Sequence, residues 1–182
     1  MISEEDRQQA VEWARALLSR TDWVILDTET TGLSPQDEII QIAILSSDGT
    51  PLFNSLIRPS RLIPASATAI HGITDDDVVD APCYKEIAGQ IESIVAEKTI
   101  VIYNADYDQR LLQQTHKRYF RQPLYIKRSQ IECAMLMYSA WKGELWPDGN
   151  YKWQKLPGGD HTALGDCRAT LKIIQEMAED GD

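Results

Sequence analysis

The stretch from Val24 to Leu33 reads VILDTETTGL. It begins as a buried strand, with three aliphatic residues in succession, and then places Asp27 and Glu29 two residues apart. Side chains two apart on a strand point to one face. Both carboxylates therefore address the same space at the end of a strand that enters a core. Two neighbouring anions without a partner are unfavourable, and one would tend to take up a proton. A hard divalent cation removes the conflict, because Mg2+ and Mn2+ prefer oxygen ligands. On spacing alone a second account stays equally open: two solvated carboxylates at a strand end, capping the following turn.

Outward from this stretch, Trp23 to Thr28 is the expected strand. Residues 38–59 carry two more, joined at Asp48-Gly49, a strong hairpin signal. Before them, Ser3 and Asp6 suit a helix start, and Val11, Ala14, Leu17 and Leu18 recur at helical spacing. An amphipathic helix is expected over about 4–20. Residues 63–82 read as loop and short helix. Residues 83–98 read as a helix with Ile87, Ile91, Ile94 and Val95 on one face, and 99–104 as a buried strand. Helix 107–120, a short strand at 124–130, helix 132–141, a Gly- and Pro-rich loop at 143–160 and a final helix at 162–179 complete the chain. Three antiparallel strands followed by alternating helices and strands predict one α/β domain over 1–182, built on a mixed sheet.

Composition narrows the function. The 182 residues are 43% apolar and 25% charged, with a net charge of −10. That is a globular composition. A chain this acidic does not wrap duplex DNA by charge, but an enzyme acting on a few nucleotides is compatible with it. No apolar run reaches the roughly 18 residues of a membrane span, and the acidic N-terminus is unlike a secretory signal. Cys83, Cys133 and Cys167 form no CxxC pair, which predicts buried free thiols in a cytoplasmic protein.

Two further clusters carry carboxylates. In YNADYDQRLL, Asn104, Asp106 and Asp108 sit where a strand runs into a helix. One acid there fits an ordinary helix start, while Asp108 shares a helix face with Leu111 and Leu112 and is expected to point inward. In HTALGDCRATL, His161 and Asp166 bracket a helix start whose Ala163, Leu164, Ala169 and Ile173 look core-facing.

Together, D-x-E, N-A-x-Y-D and H-x-A-x-x-D, in that order, resemble the DEDDh 3′–5′ exonucleases, the family of polymerase proofreading subunits, ribonuclease T and oligoribonuclease. DTETTGL, YNADYD and HTALGDCRAT match its three motifs, with Tyr103 and Tyr107 where His and Phe are commoner. The resemblance implies a ribonuclease-H-like mixed five-stranded sheet flanked by helices. It implies two bound Mg2+ or Mn2+ ions held by Asp27, Glu29, Asp108 and Asp166, with His161 as general base and nucleoside monophosphates as products. Asp106 is then the variable position, better suited to a helix cap. Two such ions can clamp an in-line phosphoryl displacement, and a neutral imidazole can take the water's proton near pH 7.

The same resemblance suggests substrate contacts at Thr30, Thr31, Gly32 and Leu33, where backbone amides approach the terminal nucleotide and Leu33 packs on its base. It adds Ile70, His71 and Asn104 around the pocket. A plain turn accounts for the first group as well, and His71 could equally satisfy loop carbonyls. Residues 109–131 hold Arg110, Lys117, Arg118, Arg121, Lys127 and Arg128 and no acid. They could guide a strand or form a solvated helix face. Trp153 and Tyr151 could stack on a single-stranded end, or Trp153 could be a hydrophobic anchor. The expected partners are single-stranded nucleic acid 3′ ends and a polymerase or repair complex, with no membrane and the oligomeric state open. A non-catalytic module binding nucleic acid or a polymerase is the competing class, disfavoured because all five catalytic positions are filled.

Overall fold

The computed structural model describes residues 4–120, 122, 124 and 126–180. Its sheet has the order β3-β2-β1-β4-β5, formed by β1 (Trp23–Thr30), β2 (Ile39–Ser46), β3 (Pro51–Leu56), β4 (Thr99–Ile102) and β5 (Ile131–Cys133). The first three strands pair antiparallel, and β4 and β5 add in parallel to β1. This is the expected mixed five-stranded sheet flanked by helices.

The helices divide between the two faces because β1 is apolar on both. Trp23 and Ile25 pack with α1 (Glu4–Leu18), α6 (Ala134–Lys142) and α7 (Ala163–Glu179). Val24 and Leu26 pack against α4 (Tyr84–Val95) and α5 (Ala105–Tyr119). Two short helices, α2 (Ala65–His71) and α3 (Asp75–Val78), cover the end of β2 through Ala67 and Val78. Among the described residues, no helix is long and apolar enough to cross a membrane. Cys167 is buried, Cys83 and Cys133 are half-buried, and all three are free.

Three expectations shift. Strand β1 runs on to Thr30, because its ladder with β2 continues past Thr28, so both acids lie inside the strand. The strand expected at 124–130 is displaced. Arg128–Gln130 forms a 3-10 turn, and pairing with the four-residue β4 is made by Ile131–Cys133. Leu124 is instead buried in the core, and Tyr125 lies outside the described residues. The helix expected from 132 accordingly starts at Ala134. Ser3 and Arg121 also fall outside the described residues.

Candidate active site

The parallel pairing of β1 with β4 ends at Ile25 and Val101. Beyond it β4 turns off into α5, which opens a gap over the last residues of β1. Asp27 and Glu29 lie there, on the face shared with Trp23 and Ile25 and turned toward α7. The ladder to β2 slips between Glu29 and Thr30, the kind of bulge that re-aims side chains beside a site. Ligands bind at such switch points, outside the carboxyl ends of parallel strands.

Each acid arrives from a different element. Asp108 lies in the first turn of α5, buried, and Asp166 in the first turn of α7. Asp27, Glu29, Asp108, His161 and Asp166 line one cavity of about 480 Å3, together with Asn104, Tyr103, Tyr107, Lys155 and Leu156. Ligand atoms of Glu29, His161 and Asp166 lie within 4.8 Å of one another. That spacing suits a metal ion, and His161 belongs to the group although its expected role was proton transfer.

Crowding shows in the acidities. Burial, then the neighbouring Asp108, Asp166 and Glu29, holds Asp27 well above the usual carboxylate range. Burial, then Asp166 and Asp108, pushes Glu29 up to about 8. Burial lifts Asp108 to about 7, against the hydrogen bond from Thr28. Burial also raises Asp166, opposed by the N–H groups of Asp160 and His161. A set of oxygen donors that resists ionisation in its own company suits a divalent cation, whose charge reverses each shift. The donor set therefore fits the metal that the carboxylate pair implied.

The start of α7 is tightly organised. Thr162 caps the helix through the Gly165 N–H. Asp160 accepts from the Thr162 N–H and hydroxyl at 3.0 and 2.7 Å. Asp166 Oδ1 accepts the N–H of Asp160 at 2.9 Å and of His161 at 3.3 Å. His161 adopts a left-handed φ of 59°, rarely taken by non-glycine residues. Gln41, cross-strand partner of Glu29, accepts the Ala163 N–H at 3.0 Å and ties α7 to the sheet.

The turn after β1 is gripped by one stripe of α5. The Tyr107 hydroxyl meets Thr30 Oγ1 at 2.7 Å. Arg110 donates to the Leu33 carbonyl, Gln114 to those of Ser34 and Asp37, and Arg118 to that of Gln36. Positions 107, 110, 114 and 118 recur at helical spacing. Two of the basic residues in 109–131 thus hold the 33–37 loop rather than forming a free cationic face. Arg128 pairs with Asp106 at 3.3 Å, both exposed. Asn104, not Asp106, is the N-cap residue of α5, and it makes no side-chain cap. Asp106 is a first-turn residue in a surface ion pair.

Thr30 and Thr31 are buried, whereas Leu33 and Ile70 are exposed. Asn104 lines the cavity; Thr30, Thr31, Gly32, Leu33 and Ile70 do not. Gly32 is needed, since a Cβ there would lie 2.8 Å from Asp37 Oδ2. His71 bonds the Thr30 carbonyl through Nε2 and accepts the Ile73 N–H at Nδ1, so the loop-carbonyl account describes it. Trp153 is 74% exposed and is no core anchor. Sequence reasoning did not single out Thr28, Gln41, Asp160, Gly159 or Gly165. Their partners lie far along the chain or turn on atomic packing, and the Gly-Asp pairs beside His161 were the one local signal.

A carboxylate cluster at the open end of β1, in a sheet of this order, belongs to the ribonuclease-H-like exonuclease fold. The chain is a member of the exonuclease family: the RNase_T family model, described as Exonuclease, matches residues 24–174. It is 42% identical to the uncharacterized exonuclease CP81 of Escherichia phage 186, over 96% of this chain and 94% of that protein. It is 36% identical to a DNA polymerase III subunit epsilon-like protein of Rhodobacter capsulatus, over 90% of this chain but 25% of that protein. Among solved structures, exonuclease X in complex with 5′ overhanging duplex DNA is 30% identical, with a TM-score of 0.56 over 88% of this chain and 93% of that one. E. coli exonuclease I with a dA16 oligonucleotide shares the fold at 21% identity, with a TM-score of 0.67 over 85% of this chain and 40% of that one.

Proposed function

We propose that this chain is a metal-dependent 3′–5′ exonuclease that removes nucleoside 5′-monophosphates from single-stranded ends, DNA ahead of RNA. The observation that carries the reading is the convergence of Asp27, Glu29, Asp108, His161 and Asp166 on one cavity. Two Mg2+ or Mn2+ ions held by the four carboxylates would supply charge neutralisation and an acidified water. The protein's own part is to keep Asp27 and Glu29 on a rigid central strand and to bring Asp108 and Asp166 in from two helix starts. His161, exposed at the cavity edge, takes the proton from the attacking water. Leu33 and Ile70, both exposed beside the cavity-forming segments, offer apolar surface to the terminal base. The polymerase III relative supports a role beside a polymerase or repair complex, and we place the protein in the cytoplasm.

The test uses purified protein with Mn2+ and end-labelled single-stranded DNA and RNA of equal sequence. Mononucleotide release from the 3′ end, blocked by EDTA and by a 3′-terminal phosphate, is the expected result. Cleavage of circular single strands, digestion from the 5′ end or full activity in EDTA would overturn it.

A further inference from the structure

Residues 144–153 form a small hairpin laid over α6. Leu145 and Tyr151 make an isolated bridge, Trp146 donates to the Asn150 carbonyl, and Lys152 donates to that of Glu144, each at 2.8 Å. The Tyr151 hydroxyl is tied to Asp6 of α1 at 2.6 Å. Between hairpin and helix lies a groove of about 490 Å3, walled by Leu136, Trp146, Tyr151 and Trp153 with Ser139 at its floor. A volume of this size is typical of small-ligand sites. Leu136, Trp146 and Trp153 are 54%, 53% and 74% exposed. Ser139 is 1% exposed, and among the described residues its hydroxyl has no hydrogen-bond partner. The exposed indoles present flat apolar faces along the groove, which suit a planar ligand that stacks.

We propose that this groove is a base-stacking subsite for the strand upstream of the nucleotide being removed; the proposal rests on the exonuclease reading above. The groove neighbours the catalytic cavity along the chain. Trp153 walls one and Lys155 the other, and the carbonyl of Gln154 between them accepts the hydroxyl of Tyr103, itself a cavity residue, at 2.8 Å. Asp148 also lines the groove and disfavours a phosphate inside it. The base is therefore the ligand, with the phosphates passing Lys155 at the seam. Stacking on indoles is sequence-tolerant, so the subsite adds affinity for length without base preference.

The experiment compares wild type, Trp153→Ala and Trp146→Ala/Trp153→Ala on a single-stranded oligonucleotide of about a dozen nucleotides and on a dinucleotide. KM for the long strand should rise about 5–150-fold in the double variant, with kcat and dinucleotide cleavage unchanged. Trp153→Phe should retain most of the affinity. Unchanged KM on the long strand, or equal loss on both substrates, overturns the subsite even where the exonuclease reading stands. Absence of metal-dependent cleavage by wild type overturns the underlying reading instead. Both tryptophans are exposed, so unchanged melting of the variants separates lost binding from lost folding.

Discussion

The Thr28 hydroxyl donates to Asp108 Oδ1 at 2.6 Å, a buried bond joining β1 to the first turn of α5 across 80 residues of chain. Thr28 faces away from Asp27 and Glu29 along the strand. Through this bond it nonetheless fixes the third carboxylate relative to the first two. Burial drives Asp108 toward its neutral form, and Thr28 holds it back.

Thr28→Val should therefore disturb the site without touching a metal-binding atom. Loss of a buried hydrogen bond to a group that can ionise costs about 1–3 kcal/mol, and the Asp108 pKa should climb further above about 7. Mn2+ affinity measured by calorimetry at neutral pH should fall, and Thr28→Ser should restore it. Equal affinity in Thr28→Val and wild type would remove Thr28 from the site.

Metal removal should leave a protein whose stability falls as pH rises. A carboxyl with a folded pKa above its unfolded value binds more protons folded than unfolded, so its contribution favours folding at low pH. The loss begins near the unfolded carboxyl pKa of about 4. It ends as pH passes about 7 for Asp108 and about 8 for Glu29. In EDTA the melting temperature should decline across that window, and saturating Mg2+ should raise it more at about pH 8 than at about pH 5. Glu29→Gln should flatten much of the decline. A metal-free melting temperature that rises across the window would contradict the assigned crowding.

Much of this site was legible because local periodicity decides it. The two-residue alternation of β1 aims Asp27 and Glu29 together, and helical spacing turns Asp108 toward the core beside Leu111 and Leu112. The rest depends on tertiary partners with no local signature. Nothing near Gln41 announces that it caps a helix beginning at residue 163, and nothing near Arg118 announces its bond to the Gln36 carbonyl. Edge pairing misled for a similar reason. The 124–130 segment has strand-like residues, but the short β4 offers its ladder to Ile131–Cys133. Trp153 was ambiguous because an exposed and a buried tryptophan look alike in sequence.

His161 can act in two ways, and one variant separates them. A ring nitrogen lies within 4.8 Å of carboxylate oxygens of Glu29 and Asp166, yet the proposed role is proton transfer. His161→Ala should lower kcat by about 10²–10⁴-fold, as loss of a general base does, with Mn2+ affinity unchanged. A parallel fall in metal affinity in His161→Ala would make the residue a ligand, and an unchanged kcat would make it only a helix-start residue.

Gly165 sets stability against activity. A Cβ built there would lie 2.1 Å from Asp160 Oδ1 and 2.6 Å from its Cγ, so alanine must expel the Asp160 carboxylate from the first turn of α7. That carboxylate holds Thr162, and the 160–162 segment holds His161 in its left-handed conformation. Alanine is itself the better helix former by about 1 kcal/mol, which offsets the lost bonds. Gly165→Ala should therefore melt near the wild-type temperature and turn over at least about tenfold more slowly, a barrier increase of roughly 1.4 kcal/mol. If the effect runs through Asp160, adding Gly165→Ala to Asp160→Ala should change kcat little, because the clash is already gone. Additive losses in that cycle would show that Gly165 acts by another route, such as its close packing within the helix start.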